Sequence, residues 1–188
     1  MPEIAHPLNE KIYWESEKYF DNLCEDLKQA KKFIHIEIYT LSRDKVGNRI
    51  IQILLEQAKK GVKIFLEIDG AGSFPIDKKW LKVLRRKRID ARVFHPLTWR
   101  SFFQPILKLV NAFPPHSKFN SFNIRNHKKI VVIDARVVWV GSFNFTQIHL
   151  PSELGGQSWQ DAAIRIERLV DPETEFTWRH ARHYARHR

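Results

Sequence analysis

This sequence of 188 residues is short of cysteine, of acidic charge and of long apolar runs. Cys24 stands alone, so no disulfide can close within the chain, and a reducing compartment is allowed. No Cys/His cluster has zinc spacing and no acidic loop resembles a calcium or magnesium site, so neither a metal nor another cofactor is expected. No uninterrupted apolar stretch approaches the ~20 residues that span a bilayer. The opening Met-Pro-Glu-Ile-Ala-His-Pro lacks the basic-then-apolar order of a signal peptide. The expected location is cytoplasmic, with peripheral contact at the inner face of the membrane. Acid is outnumbered: 21 Asp and Glu against 32 Lys and Arg leave a net charge of +11. Such a surplus points to an anionic partner, either nucleic acid or an anionic membrane surface.

What is present suffices for a core, with 43% hydrophobic residues. The length fits one domain, or one large half of a two-domain protein. Residues 1–13, with Pro2 and Pro7, read as a lead-in, 14–170 as a single domain, and 171–188 as a basic tail. Apolar residues at helical spacing predict helices over 16–31, 46–60 and 77–88, with Ser16 positioned to cap the first and Gly61 to stop the second. Strands are expected at 33–39, 62–68, 91–95 and 161–167. On the first of these, His35 and Glu37 share a face opposite Ile34, Ile36 and Ile38. Strand alternating with helix argues for an α/β sandwich: a mixed, largely parallel central sheet flanked by helices. Residues 96–124 break the rhythm with Trp99, Phe102, Phe103, Ile106, Leu107, Leu109, Val110 and Phe113. They read as a cap over the core, a dimer contact, or a lip that touches lipid. The seven basic residues of 78–88 read as a solvated helix face or as a partner site, and the Arg/His tail from Arg179 as a solvated helix end or as a phosphate-facing segment.

The densest chemistry lies between Arg125 and Thr146. Two β-branched runs, 130–133 and 137–140, flank Asp134-Ala135-Arg136 and read as a β-hairpin. His127 and Lys129 then share one strand face. A two-residue turn at Ala135-Arg136 would pair Asp134 with Val137, placing Ser142 opposite Lys129 and Asn144 opposite His127, with Cβ atoms roughly 5 Å apart. An odd loop length would break that register. One face would offer an imidazole, an ammonium, a hydroxyl and an amide, which are the groups a phosphodiester needs. Asp134 has the other parity and lies about 23 Å along the strand from His127, at roughly 3.3 Å per residue. It is expected to be a structural carboxylate at the turn, paired with a Lys or Arg.

The pattern H-x-K-x4-D-x6-G-S-x-N, formed by His127, Lys129, Asp134, Gly141, Ser142 and Asn144, resembles the HKD signature of the phospholipase D superfamily. Ile36-Glu37-Ile38-Tyr39, Lys60-Gly61-Val62, Asp69-Gly70-Ala71-Gly72, Val93-Phe94-His95-Pro96 and Trp159-Gln160-Asp161 extend the likeness. From about residue 13 to 169 the chain is similar to the first half of bacterial cardiolipin synthases and related phosphatidyltransferases. Gly-Ser-Phe-Asn-Phe-Thr would suit a small dimeric endonuclease of the same superfamily equally well.

The resemblance implies that His127 attacks phosphorus and forms a phosphohistidine. It implies that Lys129 and Asn144 hold the non-bridging oxygens, with Ser142 a further donor, Gly141 beside the substrate, and Asp161 orienting His127. Glu37, on the polar face of its strand, is the second candidate for that orienting carboxylate and a substrate contact. It implies no metal. These enzymes build one site from two HKD motifs, one histidine attacking and the other protonating the leaving alcohol. This sequence has one motif, so either a homodimer completes the site or a second half does. Expected partners are an anionic phospholipid or another phosphodiester, with nucleic acid as the alternative substrate. A third reading is a silent half-domain that binds lipid or a partner.

Overall fold

The structure, a computed structural model, describes residues 8–73, 77–95 and 125–168. The aromatic stretch at 96–124 and the Arg/His tail lie outside the described residues.

Helix α1 (Ser16–Lys28) forms because Tyr19, Phe20, Leu23 and Leu27 recur on one face and are buried there. Ser16 does not cap it: Glu15 holds the cap position and makes no side-chain cap bond. The helix stops three residues earlier than the apolar spacing suggests. The backbone N–H groups of Lys31, Lys32 and Phe33 donate instead to the Asp134 carboxylate, at 2.7 to 2.8 Å. Helix α2 (Lys45–Lys59) is capped by Asp44, whose carboxylate accepts from Val46 and Gly47 N–H. It ends at Gly61, whose φ of +92° is where glycine carries no steric cost. Helix α3 (Lys78–Arg86) is capped by Asp77 and anchored by Leu81 and Leu84.

Seven strands make one sheet among the described residues, in the order β1-β7-β6-β5-β2-β3-β4. They are β1 (Leu8–Tyr13), β2 (Phe33–Ile38), β3 (Lys63–Asp69), β4 (Ile89–Phe94), β5 (Lys129–Ile133), β6 (Val137–Gly141) and β7 (Ala163–Arg168). The α/β class and the mixed sheet agree with expectation. The sheet is not largely parallel, however. Only β2–β3 and β3–β4 run parallel, as βαβ crossovers, while β2–β5, β5–β6, β6–β7 and β1–β7 are antiparallel. The hairpin β5–β6 enters beside β2 and turns the rest of the sheet antiparallel. Strand β1 was expected to be lead-in. Asn9, Glu10, Lys11 and Ile12 are exposed, so this edge strand shows no apolar alternation and is held by its ladder to β7.

The core lies on one face of the sheet. Ile34, Ile36, Ile38, Ile64, Leu66, Ile68, Val131 and Trp139 meet Leu23, Leu27, Ile50, Leu54, Leu81 and Leu84 of the helices. Tyr19 stacks on Phe143 with centroids 4.3 Å apart and meets Trp139 edge-on, which ties α1 to the segment after β6. Burying some thirty apolar side chains at roughly 1.5–3 kcal/mol each sets the scale of the driving force.

Candidate active site

The chemistry gathers at one edge of the sheet, where β2 and β3 end, β5 begins, β6 ends and β7 begins. Lys129 pairs with Ile38 and Gly141 with Ala163. This is the C-terminal edge of the parallel strands, where open α/β sheets bind ligands.

Lys129 points to the core face, beside Val131 and Ile133, and is 8% exposed. Its stem is covered, and its ammonium bends up to the edge. Nζ donates to the His127 carbonyl at 3.0 Å and lies 3.3 and 3.4 Å from the His127 ring nitrogens Nε2 and Nδ1. It also stands 5.4 Å above the Tyr39 ring. Burial pushes the Lys129 ammonium below its usual range, and the Asp161 carboxylate nearby opposes that shift. His127 is exposed, with its ring against Tyr39 at a centroid distance of 4.7 Å.

His127 sits on a short segment gripped from the opposite face of the sheet. Asn126 donates through its backbone to Asp69 (3.1 Å) and through its amide to Glu37 (3.1 Å) and Glu67 (2.7 Å). Lys128 donates to Glu37 at 3.0 Å. Glu37 therefore does not orient His127 directly. It faces away and holds the residues on either side. Hydrogen bonding by His35 first, then by Asn126 and Lys128, lowers its carboxyl to about 2. Asp69, fully buried, spends its other oxygen on the N–H groups of Ala71 and Gly72. No spacing pattern announces this grip, because residues 125–128 precede β5, which begins at Lys129.

The hairpin register differs from expectation by one residue. Ile133 pairs with Val137 and Val131 with Trp139, so three residues, Asp134-Ala135-Arg136, form the loop. Asp134 and Ala135 take left-handed φ values of +53° and +56°. Ser142 and Asn144 consequently do not face Lys129 and His127 as strand partners. Ser142 accepts from Ala162 N–H at 3.1 Å through its hydroxyl and donates from its own N–H to Ala162 O at 2.8 Å. It stitches β6 to the approach of β7. Gly141 serves the same seam: a side chain there would collide with Ala162 and Ala163, so the glycine permits close strand approach. Asn144 does reach the site. Its Oδ1 accepts from Thr40 N–H at 3.0 Å, beside the tyrosine that packs on His127. That bond fixes the amide plane, and its NH2 group has no partner among the described residues.

Asp134 lies at the far end of β5. Its carboxylate binds three backbone N–H groups rather than a Lys or Arg, and it is no part of the site. Asp161 is at the site, yet its closest partner is not His127. Oδ2 lies 2.6 Å from His149 Nδ1. His149 is 2% exposed, and its Nε2 accepts the N–H of Asn144 at 3.0 Å. Burial lowers its affinity for a second proton, against the pull of Asp161. A lone histidine among Gln, Ile and Leu carried no spacing signal.

The arrangement offers an exposed imidazole, a desolvated cation touching it, an amide with unspent donors and a nearby carboxylate. Among the described residues no cluster of His, Cys, Asp and Glu has the arrangement to hold a metal ion, and no helix is long and apolar enough to cross a membrane.

A family model described as "Cardiolipin synthase, PLD-like domain" matches residues 23–154. Cardiolipin synthase of Clostridium perfringens is 29% identical over 164 residues, which are 87% of this chain and 31% of that protein. Cardiolipin synthase of Staphylococcus aureus is 33% identical over 156 residues, 83% of this chain and 28% of that protein. The chain thus spans under a third of the length of these curated relatives. Among solved structures, NucT from Helicobacter pylori has a TM-score of 0.57 at 14% identity, covering 96% of this chain and 95% of its own. Nuc from Salmonella typhimurium, a phospholipase D family member, has a TM-score of 0.56 at 17% identity, covering 96% and 91%. At these identities the likeness is one of fold.

Proposed function

Because the chain belongs to the family of cardiolipin synthase phospholipase D-like domains, we propose that it is a phosphatidyltransferase or phospholipase D-type phosphodiesterase acting on anionic phospholipid through a covalent phosphohistidine. The observation that carries this is the exposed His127 ring with the Lys129 ammonium 3.3 to 3.4 Å from its nitrogens. A nucleophile and a phosphate-binding cation share one opening, and the cation is desolvated, where its attraction for an anion is strongest.

One His127 nitrogen bonds to phosphorus as the P–O bond to the leaving alcohol breaks. Lys129 and the Asn144 amide take the charge that builds on the non-bridging oxygens. The leaving oxygen needs a proton, and a second histidine supplies it. In the second step the acceptor alcohol gives its proton to that histidine, its oxygen bonds to phosphorus, and the N–P bond breaks. The second histidine comes from another HKD half, either a second copy in a homodimer or a further segment. The chain's coverage of under a third of its curated relatives is compatible with both. Contact with the membrane is peripheral, through charge.

The test is product mass spectrometry after mixing the protein with phosphatidylglycerol vesicles in chelator. Cardiolipin or phosphatidic acid is expected from the wild type and neither from His127→Ala. Unchanged turnover in that variant sinks the assignment.

A metal-independent nuclease is the second reading. Lys79, Lys82, Arg86, Lys87 and Arg88 on and just after α3 are exposed and make no ion pair among the described residues. Phosphate contacts of that kind dominate nucleic-acid affinity. This reading expects DNA nicking in chelator and binding that weakens steeply with salt. A silent half-domain would give no phosphohistidine with either substrate.

A further inference from the structure

His149 is a buried titratable side chain that the mechanism above does not use. It sits in the turn Gln147–His149, after the Gly-Ser-Phe-Asn segment. The ring is walled by Phe143 at a centroid distance of 5.4 Å and Trp159 at 6.2 Å, both edge-on. The turn is tied back by Leu150 N–H to Gln147 O and by Gln157 N–H to Ile148 O, each 2.9 Å. Nε2 accepts the N–H of Asn144 at 3.0 Å, and Nδ1 lies in ion-pair contact with Asp161 Oδ2 at 2.6 Å, without an aligned N–H···O bond.

The partners decide the tautomer. A peptide N–H can only donate, so Nε2 must carry the lone pair, and the proton of the neutral ring is on Nδ1, the nitrogen beside the Asp161 carboxylate. We propose that His149 is a positioning residue of the phosphoryl-transfer site, whose neutral Nδ1–H imidazole clamps the Asp161 carboxylate and the Asn144 backbone together. This rests on the functional reading given above. It explains how Asp161 can serve the site while not touching His127 at rest: Oδ2 is held by His149, and Oδ1 makes no hydrogen bond among the described residues. It also explains why the Asn144 amide is presented in one orientation, since its backbone is held by His149 and its Oδ1 by Thr40.

The clamp has a built-in sensitivity to acid. A second proton would enter at Nε2 and point at the Asn144 N–H, setting two donors against each other. Around the ring, Asp161 and Asp44 favour the charged form, while burial and Lys129 oppose it.

The test uses the intact chain and two readouts that need no lipid. Imidazole 15N–1H spectra at pH 7 should show a His149 Nδ1–H and a bare Nε2. Amide exchange should show Asn144 protected in the wild type and in His149→Gln, whose side-chain oxygen can still accept, and unprotected in His149→Phe. With phosphatidylglycerol as substrate, His149→Phe should lower kcat by on the order of 10- to 100-fold with KM little changed, and His149→Gln should recover most of it. An Nε2–H tautomer, or equal Asn144 protection in His149→Phe and wild type, overturns the proposal. A wild type that binds its His149 proton as described yet turns over no lipid sinks the lipid reading and leaves the clamp standing.

Discussion

The two ends of strand β5 carry residues of one short motif and are built to opposite purposes. At the far end, Asp134 is saturated: its two oxygens take three backbone N–H groups at 2.7 to 2.8 Å. At the near end, among the described residues, His127 is exposed, Lys129 is desolvated without a carboxylate in contact, and Asn144 keeps its NH2 group unspent. A carboxylate whose bonds are all made holds the fold and has nothing left for a substrate. Polar groups left unmade next to buried surface are costly, and they persist where a ligand is to complete them. The signature therefore contains an anchor and a site, separated by the length of the strand.

Substitutions at the two ends should separate cleanly. The largest effect is expected for His127→Ala, which should lower turnover of phosphatidylglycerol by about 10³-fold or more. Its melting temperature should stay within ~2 °C of wild type, because the ring is exposed. A loss of stability without loss of turnover would invert the comparison. Asp134→Ala should do the reverse. Leaving three N–H groups without their charged acceptor should destabilise by about 2–4 kcal/mol in denaturant unfolding, with turnover at low temperature nearly intact. Asp134→Asn should lose less, since one oxygen remains.

A third probe sharpens the boundary between holding and reacting. Glu37 has its carboxyl lowered to about 2 by His35, Asn126 and Lys128. A depressed folded value means stability present above the unfolded value, near 4.5, and lost as pH falls from there through about 2. The stake is roughly 3 kcal/mol, and Glu37→Gln should flatten the acid limb of a stability–pH profile over that window. An unaltered profile would remove Glu37 from the grip on the His127 segment. The smallest effect is expected for Ser142→Ala. Its hydroxyl is exposed and bonded to the Ala162 backbone, so a change of under about 1 kcal/mol in stability and a few-fold in turnover should follow. A hundredfold fall in turnover would restore Ser142 as a substrate donor.

The comparison also shows why some residues were legible and others not. Parity along a strand is local, so Lys129 on the face of Val131 and Ile133 could be read from spacing, whereas His127 lies before β5 begins and is placed by its contacts with Tyr39 and Lys129. Register across the hairpin could not. It depends on the loop taking three residues with Asp134 and Ala135 at φ of +53° and +56°, and that choice is stabilised by N–H donors a hundred residues earlier in the chain. The same long-range pull shortened α1 to Lys28, where apolar spacing alone ran further. Strand β1 was missed because an edge strand needs a ladder more than an apolar pattern.

The sequence by itself determined the α/β alternation, the hairpin with His127 and Lys129 at its start, the absence of a disulfide within the chain, and the basic surplus. All of these follow from residue types at local spacings. Tertiary structure alone decided which acid meets which base. Asp161 went to His149, Glu37 to Asn126 and Lys128, and Asp134 to the backbone before β2. Those pairings join segments of the chain that only folding brings to hydrogen-bonding distance, 2.6 to 3.1 Å here, a proximity that separation along the sequence does not report.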